Sequence, residues 1–204
     1  MEKKDLGQRN YVLVIDRSGS MSDSVSSKIL ASKWDYVKES VSALAKKCYE
    51  LDKNGIDIYL FNRSFQKFLN ITPDNINSIF SDYAPMGGTD FIPVLTEVFN
   101  QHFVHSELPT SIIVITDGEP SEGIQGQKAL ANLIVNVSKK LESDNELGVS
   151  FIQVGNDKQA TEFLKKLDDD LLSVGAKYDI CDTKTFDDLE NLPLEKILLD
   201  IVND

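Results

Sequence analysis

Apolar residues along this chain recur in two alternating rhythms. Short runs, Tyr11–Ile15, Ile56–Phe61, Ile112–Ile115 and Val149–Val154, have strand length and are apolar at most positions. Such runs suit central strands covered on both faces. Between them, apolar residues return every three or four positions, which marks amphipathic helices. One helical face is Trp34, Val37, Val41, Leu44, Cys48 and Leu51, ended by Asn54-Gly55. Others are Val94, Leu95, Val98, Phe99 and Phe103, then Ala129, Leu133, Ile134, Val137 and Leu141, then Ala160, Phe163, Leu164 and Leu167. A shorter helix opens at Pro73 and runs through Phe80. Phe65–Ile71 follows Ile56–Phe61 after only Asn62-Arg63-Ser64, so these two strands pair as an antiparallel hairpin. The spacing predicts a last strand over Tyr178–Cys181 and a helical tail from Phe186 to Val202, broken at Pro193.

Strands alternating with helices predict an α/β fold: a doubly wound, mostly parallel six-stranded sheet with one antiparallel edge strand and helices on both faces. No repeat, linker or shift of composition divides the chain. One domain is expected over residues 9–202, after a short lead-in of residues 1–8.

Charge narrows the classes of partner. The 33 acidic against 21 basic residues give a net charge of −12, which repels phosphate backbones; no basic cluster offsets it, so nucleic acid is not an expected partner. No apolar run is long enough to span a membrane, and none near Met1 resembles a secretion signal, so a cytoplasmic location is expected. Cys48 and Cys181 fall in a helix and a strand and read as small core residues. His102 and His105 lie three apart near one helical face, without a third metal donor nearby, and read as surface or half-buried residues.

The candidate chemistry gathers where strands run out. Asp16-Arg17-Ser18-Gly19-Ser20 follows the first strand, with an oxygen-bearing side chain at every second position. Alternation puts Asp16, Ser18 and Ser20 on one side and Arg17 on the other, and Gly19 allows a tight bend. Gly87-Gly88-Thr89-Asp90 brings a hydroxyl on a glycine loop, and Thr116-Asp117-Gly118-Glu119 ends another central strand. Open α/β sheets build their sites outside the carboxyl ends of their strands, so Asp16 and Asp117 face one another there. Two carboxylates at close range repel, and a cation between them relieves the repulsion. Oxygen donors without histidine or thiolate select Mg²⁺, Mn²⁺ or Ca²⁺. Asp90 and Glu119 are placed as rim or capping residues, and Gly19 and Gly88 as the backbone positions that let the loops close.

With these three elements the sequence resembles a von Willebrand factor type A (VWA) domain carrying a metal-ion-dependent adhesion site. The matching text is Val14-Ile15-Asp16-Arg17-Ser18-Gly19-Ser20-Met21, Gly87-Gly88-Thr89-Asp90 and Ile115-Thr116-Asp117-Gly118-Glu119-Pro120. Within that family it is similar to the stand-alone bacterial proteins associated with tellurium resistance and stress operons. The resemblance implies that Ser18, Ser20 and Thr89 hold a divalent cation directly and that Asp16 and Asp117 act largely through water. It also implies an open coordination position for an acidic side chain of a protein partner, and no catalysis; a threonine carried on a Gly-Gly loop further raises the question of whether that loop engages and releases the metal. The competing reading is a Mg²⁺-dependent phosphatase or phosphoacceptor on a similar sheet. Against it, position 18 is serine where such a phosphatase needs a second aspartate. Asp16 also lacks the acidic neighbour that a phosphoacceptor requires.

Overall fold

The computed structural model describes residues 9–27, 29–51 and 55–185, together with Lys196. The elements run β1 (Asn10–Asp16), α1 (Lys33–Leu51), β2 (Ile56–Phe61), β3 (Phe65–Ile71), α2 (Pro73–Asp82), α3 (Phe91–His105), β4 (Thr110–Thr116), α4 (Ile124–Ser138), β5 (Leu147–Gln153), α5 (Lys158–Asp169) and β6 (Cys181–Lys184). A 3-10 turn, Gly19–Ser22, follows β1. The expected tail from Phe186 to Val202 and the expected helix stop at Asn54 lie outside the described residues.

The described strands form one six-stranded sheet in the order β3-β2-β1-β4-β5-β6. Every pairing is parallel except β2 with β3, the hairpin expected from its short link. The chain moves outward from β1 in one direction, through β2 and β3, and then returns to lay β4 on the other side of β1. The switch point therefore lies between β1 and β4, and the crevice that positions a site opens beyond their last residues.

Period-two alternation splits the core between the two faces of the sheet. Leu13 and Ile15 pack with Val37 and Val41 of α1 and with Ile76 and Phe80 of α2. Val12 and Val14 pack on the opposite face with Val94, Leu95 and Phe99 of α3, Leu130 and Ile134 of α4, and Phe163 and Leu164 of α5. Burying each such side chain contributes about 1.5–3 kcal/mol, so a sheet filled on both faces holds its strand ends in fixed positions. Tyr59 and Phe61 of the hairpin are buried in this core; Phe65 and Phe68 are half-buried against it.

Three details depart from the expectations. The last strand is Cys181–Lys184, not Tyr178–Cys181. It is the last of the described strands in the sheet order, and Asp182, exposed, and Lys184 interrupt its apolar signal, while Ile180 is buried just before it. On α3, His102 takes the buried position and Phe103 is partly exposed. On α4 the buried line runs through Gly126, Leu130, Ile134 and Val137, leaving Ala129 exposed; Leu141 is buried but lies beyond the helix end. The side chains of Leu44, Cys48 and Leu51 are outside the description, and Cys181 is buried as expected.

Candidate metal centre

Asp16 is the last residue of β1, and Asp117 follows Thr116, the last residue of β4. Parallel pairing of Ile15 with Ile115 sets these two strand ends side by side. Asp16 is fully buried and Asp117 nearly so. Asp16 Oδ1 accepts the Ser18 amide at 2.7 Å, and Asp16 Oδ2 accepts the Thr116 hydroxyl at 2.7 Å. The Thr89 hydroxyl stands 3.5 Å from the same Oδ2.

The two serines complete an arc. Ser18 Oγ lies 3.1 Å from Ser20 Oγ, and Ser20 Oγ donates to Asp117 Oδ1 at 2.9 Å. Ser18, Ser20 and Asp117 thus form one side-chain chain and Thr89, Asp16 and Thr116 another, and the Ser18 amide on Asp16 joins the two across three loops. The route differs from simple alternation along an extended chain. Ser18 is extended, and the backbone then turns into the 3-10 segment Gly19–Ser22, which swings Ser20 back toward Asp117. Arg17 does point away, as alternation requires: its guanidinium lies 5.7 Å from the Tyr83 ring centroid and donates to the Ala84 carbonyl at 3.2 Å.

The loops are stitched to each other through backbone. Gly19 N–H donates to the Gly87 carbonyl at 2.9 Å, and Met86 N–H to the Arg17 carbonyl at 2.7 Å. The Asn62 side chain donates to the Met86 carbonyl at 2.9 Å. Thr89 N–H donates to Ser121 Oγ at 2.8 Å, and Ser121 N–H returns a bond to the Thr89 carbonyl at 3.0 Å. A Cβ on Gly88 would stand 2.6 Å from Ser121 Oγ, so this close approach needs glycine there. Asp90 caps α3, accepting the Ile92 amide at 3.0 Å, and Glu119 accepts a hydrogen bond from Gln127 of α4. Asp90 is thus a helix cap, and Glu119 is held against α4.

Electrostatics at the centre are under tension. Burial pushes the Asp16 carboxyl up to about 7; the hydrogen bonds from Thr116 and Ser18 pull against this, and the neighbouring Asp117 charge adds to it. A positive charge is present on the other carboxylate. Lys33 Nζ lies 2.7 Å from Asp117 Oδ2 and 3.4 Å from the Ser20 carbonyl.

These residues fit a hard divalent cation by their donor chemistry. They are oxygens only, two of them on carboxylates, and they converge from separate loops. Among the described residues no cluster of three or more histidine, cysteine, aspartate or glutamate side chains offers an alternative metal site. The two histidines diverge: His102 is buried with Nδ1 2.9 Å from Thr110 Oγ1 and Nε2 3.5 Å from Glu146, while His105 is exposed. His102 is therefore buried in the core, beyond the surface or half-buried role expected of it.

Lys33, Thr116, Ser121 and Asn62 are the site residues that sequence reasoning missed. Lys33 carried one usable signal, since a cation in the first turn of a helix opposes the helix dipole. Ser121 carried none, because its partner is a backbone amide of a distant loop; Asn62 carried only a turn signal, its Oδ1 accepting the Ser64 amide at 3.0 Å, which says nothing of its bond to Met86.

Comparison with known proteins follows the same lines. A family profile described as a vWA found in the TerF C terminus matches residues 8–202. No curated protein matches the sequence. Solved structures with this fold include a point mutant of the PilB minor pilin from Streptococcus sanguinis, 15% identical, with a TM-score of 0.71 over 96% of this chain and 60% of that one. The chain thus spans about three fifths of that pilin. BatB from Bacteroides thetaiotaomicron is 17% identical, with a TM-score of 0.61 over 96% of this chain and 99% of that one. Proximal thread matrix protein 1 of the mussel byssus, solved with a zinc-occupied MIDAS motif, is 16% identical, with a TM-score of 0.55 over 98% of this chain and 46% of that one. At these identities the likeness is one of fold. By the profile match over nearly its whole length, the chain belongs to the vWA-TerF-like family.

Proposed function

We propose that the protein is a metal-dependent interaction module, without catalysis, that binds a protein partner through an acidic side chain. The observation that carries this reading is the convergence of the Asp16, Ser18, Ser20, Thr89 and Asp117 oxygens beyond the ends of β1 and β4. Ser18, Ser20 and Thr89 would hold a divalent cation, Mg²⁺ or else Mn²⁺ or Ca²⁺, directly, with Asp16 and Asp117 acting largely through water. When bound, the cation supplies an open position for an outside carboxylate, because neutral hydroxyls leave much of its charge unspent.

The chain's own residues do the positioning. Ser18 N–H and Thr116 Oγ1 hold the Asp16 carboxylate in one orientation, and Ser121 fixes the backbone of Thr89. The net charge of −12 repels acidic partners at long range, so attraction must be local, which favours recognition through a bound cation. The TerF association in the family description favours a place in a bacterial stress or tellurium-resistance system, in the cytoplasm.

Affinity capture with the intact protein and with Ser18→Ala/Ser20→Ala, each in Mg²⁺ and in chelator, tests the reading. Partners retained only by intact, metal-loaded protein support it. Partners retained equally in chelator and by the double variant would sink it.

A further inference from the structure

The site contains a cation of its own. Lys33 is the first residue of α1, at the positive end of the helix dipole, where a lysine is locally unfavourable. The ammonium reaches across to Asp117 Oδ2 at 2.7 Å and to the Ser20 carbonyl at 3.4 Å. This is not a loose surface pair: the two side chains are only 13% and 2% exposed.

The surroundings are built to hold the lysine there. Its stem crosses Gly155, at the end of β5, where a Cβ would stand 2.8 Å from Lys33 Cε; Gly155 also has φ +93°, which favours glycine. Its own amide donates to the Asp23 carbonyl at 2.8 Å. Ser32 caps the helix start by accepting the Asp35 amide at 3.0 Å and donating to the Asp35 carboxylate at 2.6 Å. Two other segments, at Asp23 and Gly155, thus flank the lysine while its ammonium meets Asp117 Oδ2 and the Ser20 carbonyl.

Both oxygens of Asp117 are therefore engaged, Oδ1 by Ser20 and Oδ2 by Lys33. A divalent cation drawn to this carboxylate meets one already neutralised, and the ammonium repels it. We propose that Lys33 is a tethered competitor for Asp117 that lowers the affinity of the site for divalent cations. The inference rests on the metal reading above. It adds regulation: occupancy is confined to high free metal, and anything that draws Lys33 off Asp117, an acidic partner included, raises the affinity for the cation.

The test is calorimetric titration of the full chain with MgCl₂ and MnCl₂, comparing wild type with Lys33→Met and Lys33→Gln. Binding about tenfold tighter or more in either variant supports the proposal. A second readout uses ¹³C-lysine wild type, in which the Lys33 ε resonance shifts as Mg²⁺ saturates the site. Equal or weaker binding in the variants overturns the competitor role while leaving the metal reading intact. Absence of binding to all three proteins overturns both. Should neither variant fold, an ε resonance unmoved by saturating Mg²⁺ overturns the proposal.

Discussion

Ser121 Oγ sits directly beneath the backbone of Gly88, so close that a Cβ at residue 88 would come within 2.6 Å of it. The same oxygen accepts the Thr89 amide at 2.8 Å. A loop with no regular structure is thereby tied at residues 88 and 89 by this hydroxyl, alongside the backbone bonds that Gly19, Met86 and Ser121 make.

Gly88→Ala is expected to push Ser121 aside, free the Thr89 amide and displace the Thr89 hydroxyl. Calorimetry should show Mg²⁺ affinity falling about tenfold, since each tenfold is only about 1.4 kcal/mol, within the range of one lost hydrogen bond. Adding Ser121→Gly removes the clash but not the missing bond, so the double variant should recover only part of the loss. Full additivity of the two changes would show that residues 88 and 121 do not interact.

Thr116→Val tests the support beneath the other carboxylate. Valine keeps the shape and removes the hydroxyl that Asp16 Oδ2 accepts at 2.7 Å in a fully buried setting. Urea unfolding should show a loss of about 1–3 kcal/mol, the cost of leaving a buried acceptor unsatisfied. A loss of a few tenths would mean that solvent reaches Asp16.

Much of this architecture is legible in the sequence because it depends on local rules. The apolar runs at 11–15 and 112–115, and at 56–61 with only Asp57 interrupting, are what doubly covered strands require, and the link at 62–64 is too short for anything but a hairpin. Asp16 and Asp117 can be placed together because strand ends in such sheets share one crevice. β6 escapes the same reading because only its alternate residues Cys181 and Thr183 are buried, so Asp182 and Lys184 are tolerated and break the apolar run. The buried line of α4 is offset by one position because Gly126 and Leu130, not Ala129, face the sheet, and a glycine gives no hydrophobic signal. Lys33 and Ser121 are hidden for another reason: each acts across a gap of more than thirty residues, and only the folded chain closes it.

Cys181 should be inert in the folded protein. Its thiol is buried, and that burial pushes its pKa well above the ordinary value, with the charges of Asp168, Asp179 and Asp182 acting in the same direction. The thiolate is the reactive form, so alkylation at Cys181, mapped by mass spectrometry, should proceed only as the protein unfolds in denaturant. Rapid labelling at neutral pH under native conditions would show that β6 opens independently of the sheet.

The raised Asp16 carboxyl makes stability depend on pH in a definite direction. Its ordinary value is 3.8, and in the folded chain burial lifts it to about 7. Between those values the folded state keeps a proton that the unfolded chain has lost, so stability falls as pH rises. The contribution is fully present below the unfolded value, is lost through the folded one, and is flat beyond it. Asp16→Asn cannot titrate, so the difference in unfolding free energy between wild type and variant, measured in chelator, isolates this one group. Wild type should lose a few kcal/mol relative to the variant across the window, because every tenfold difference in proton affinity between the two states is worth about 1.4 kcal/mol. Saturating Mg²⁺ acts in the opposite sense, because a cation stabilises only the ionised form. The stability that Mg²⁺ adds to wild type should therefore grow over the same interval and level off above it. Parallel wild-type and variant curves, with or without Mg²⁺, would mean that burial does not raise the Asp16 carboxyl in the folded chain.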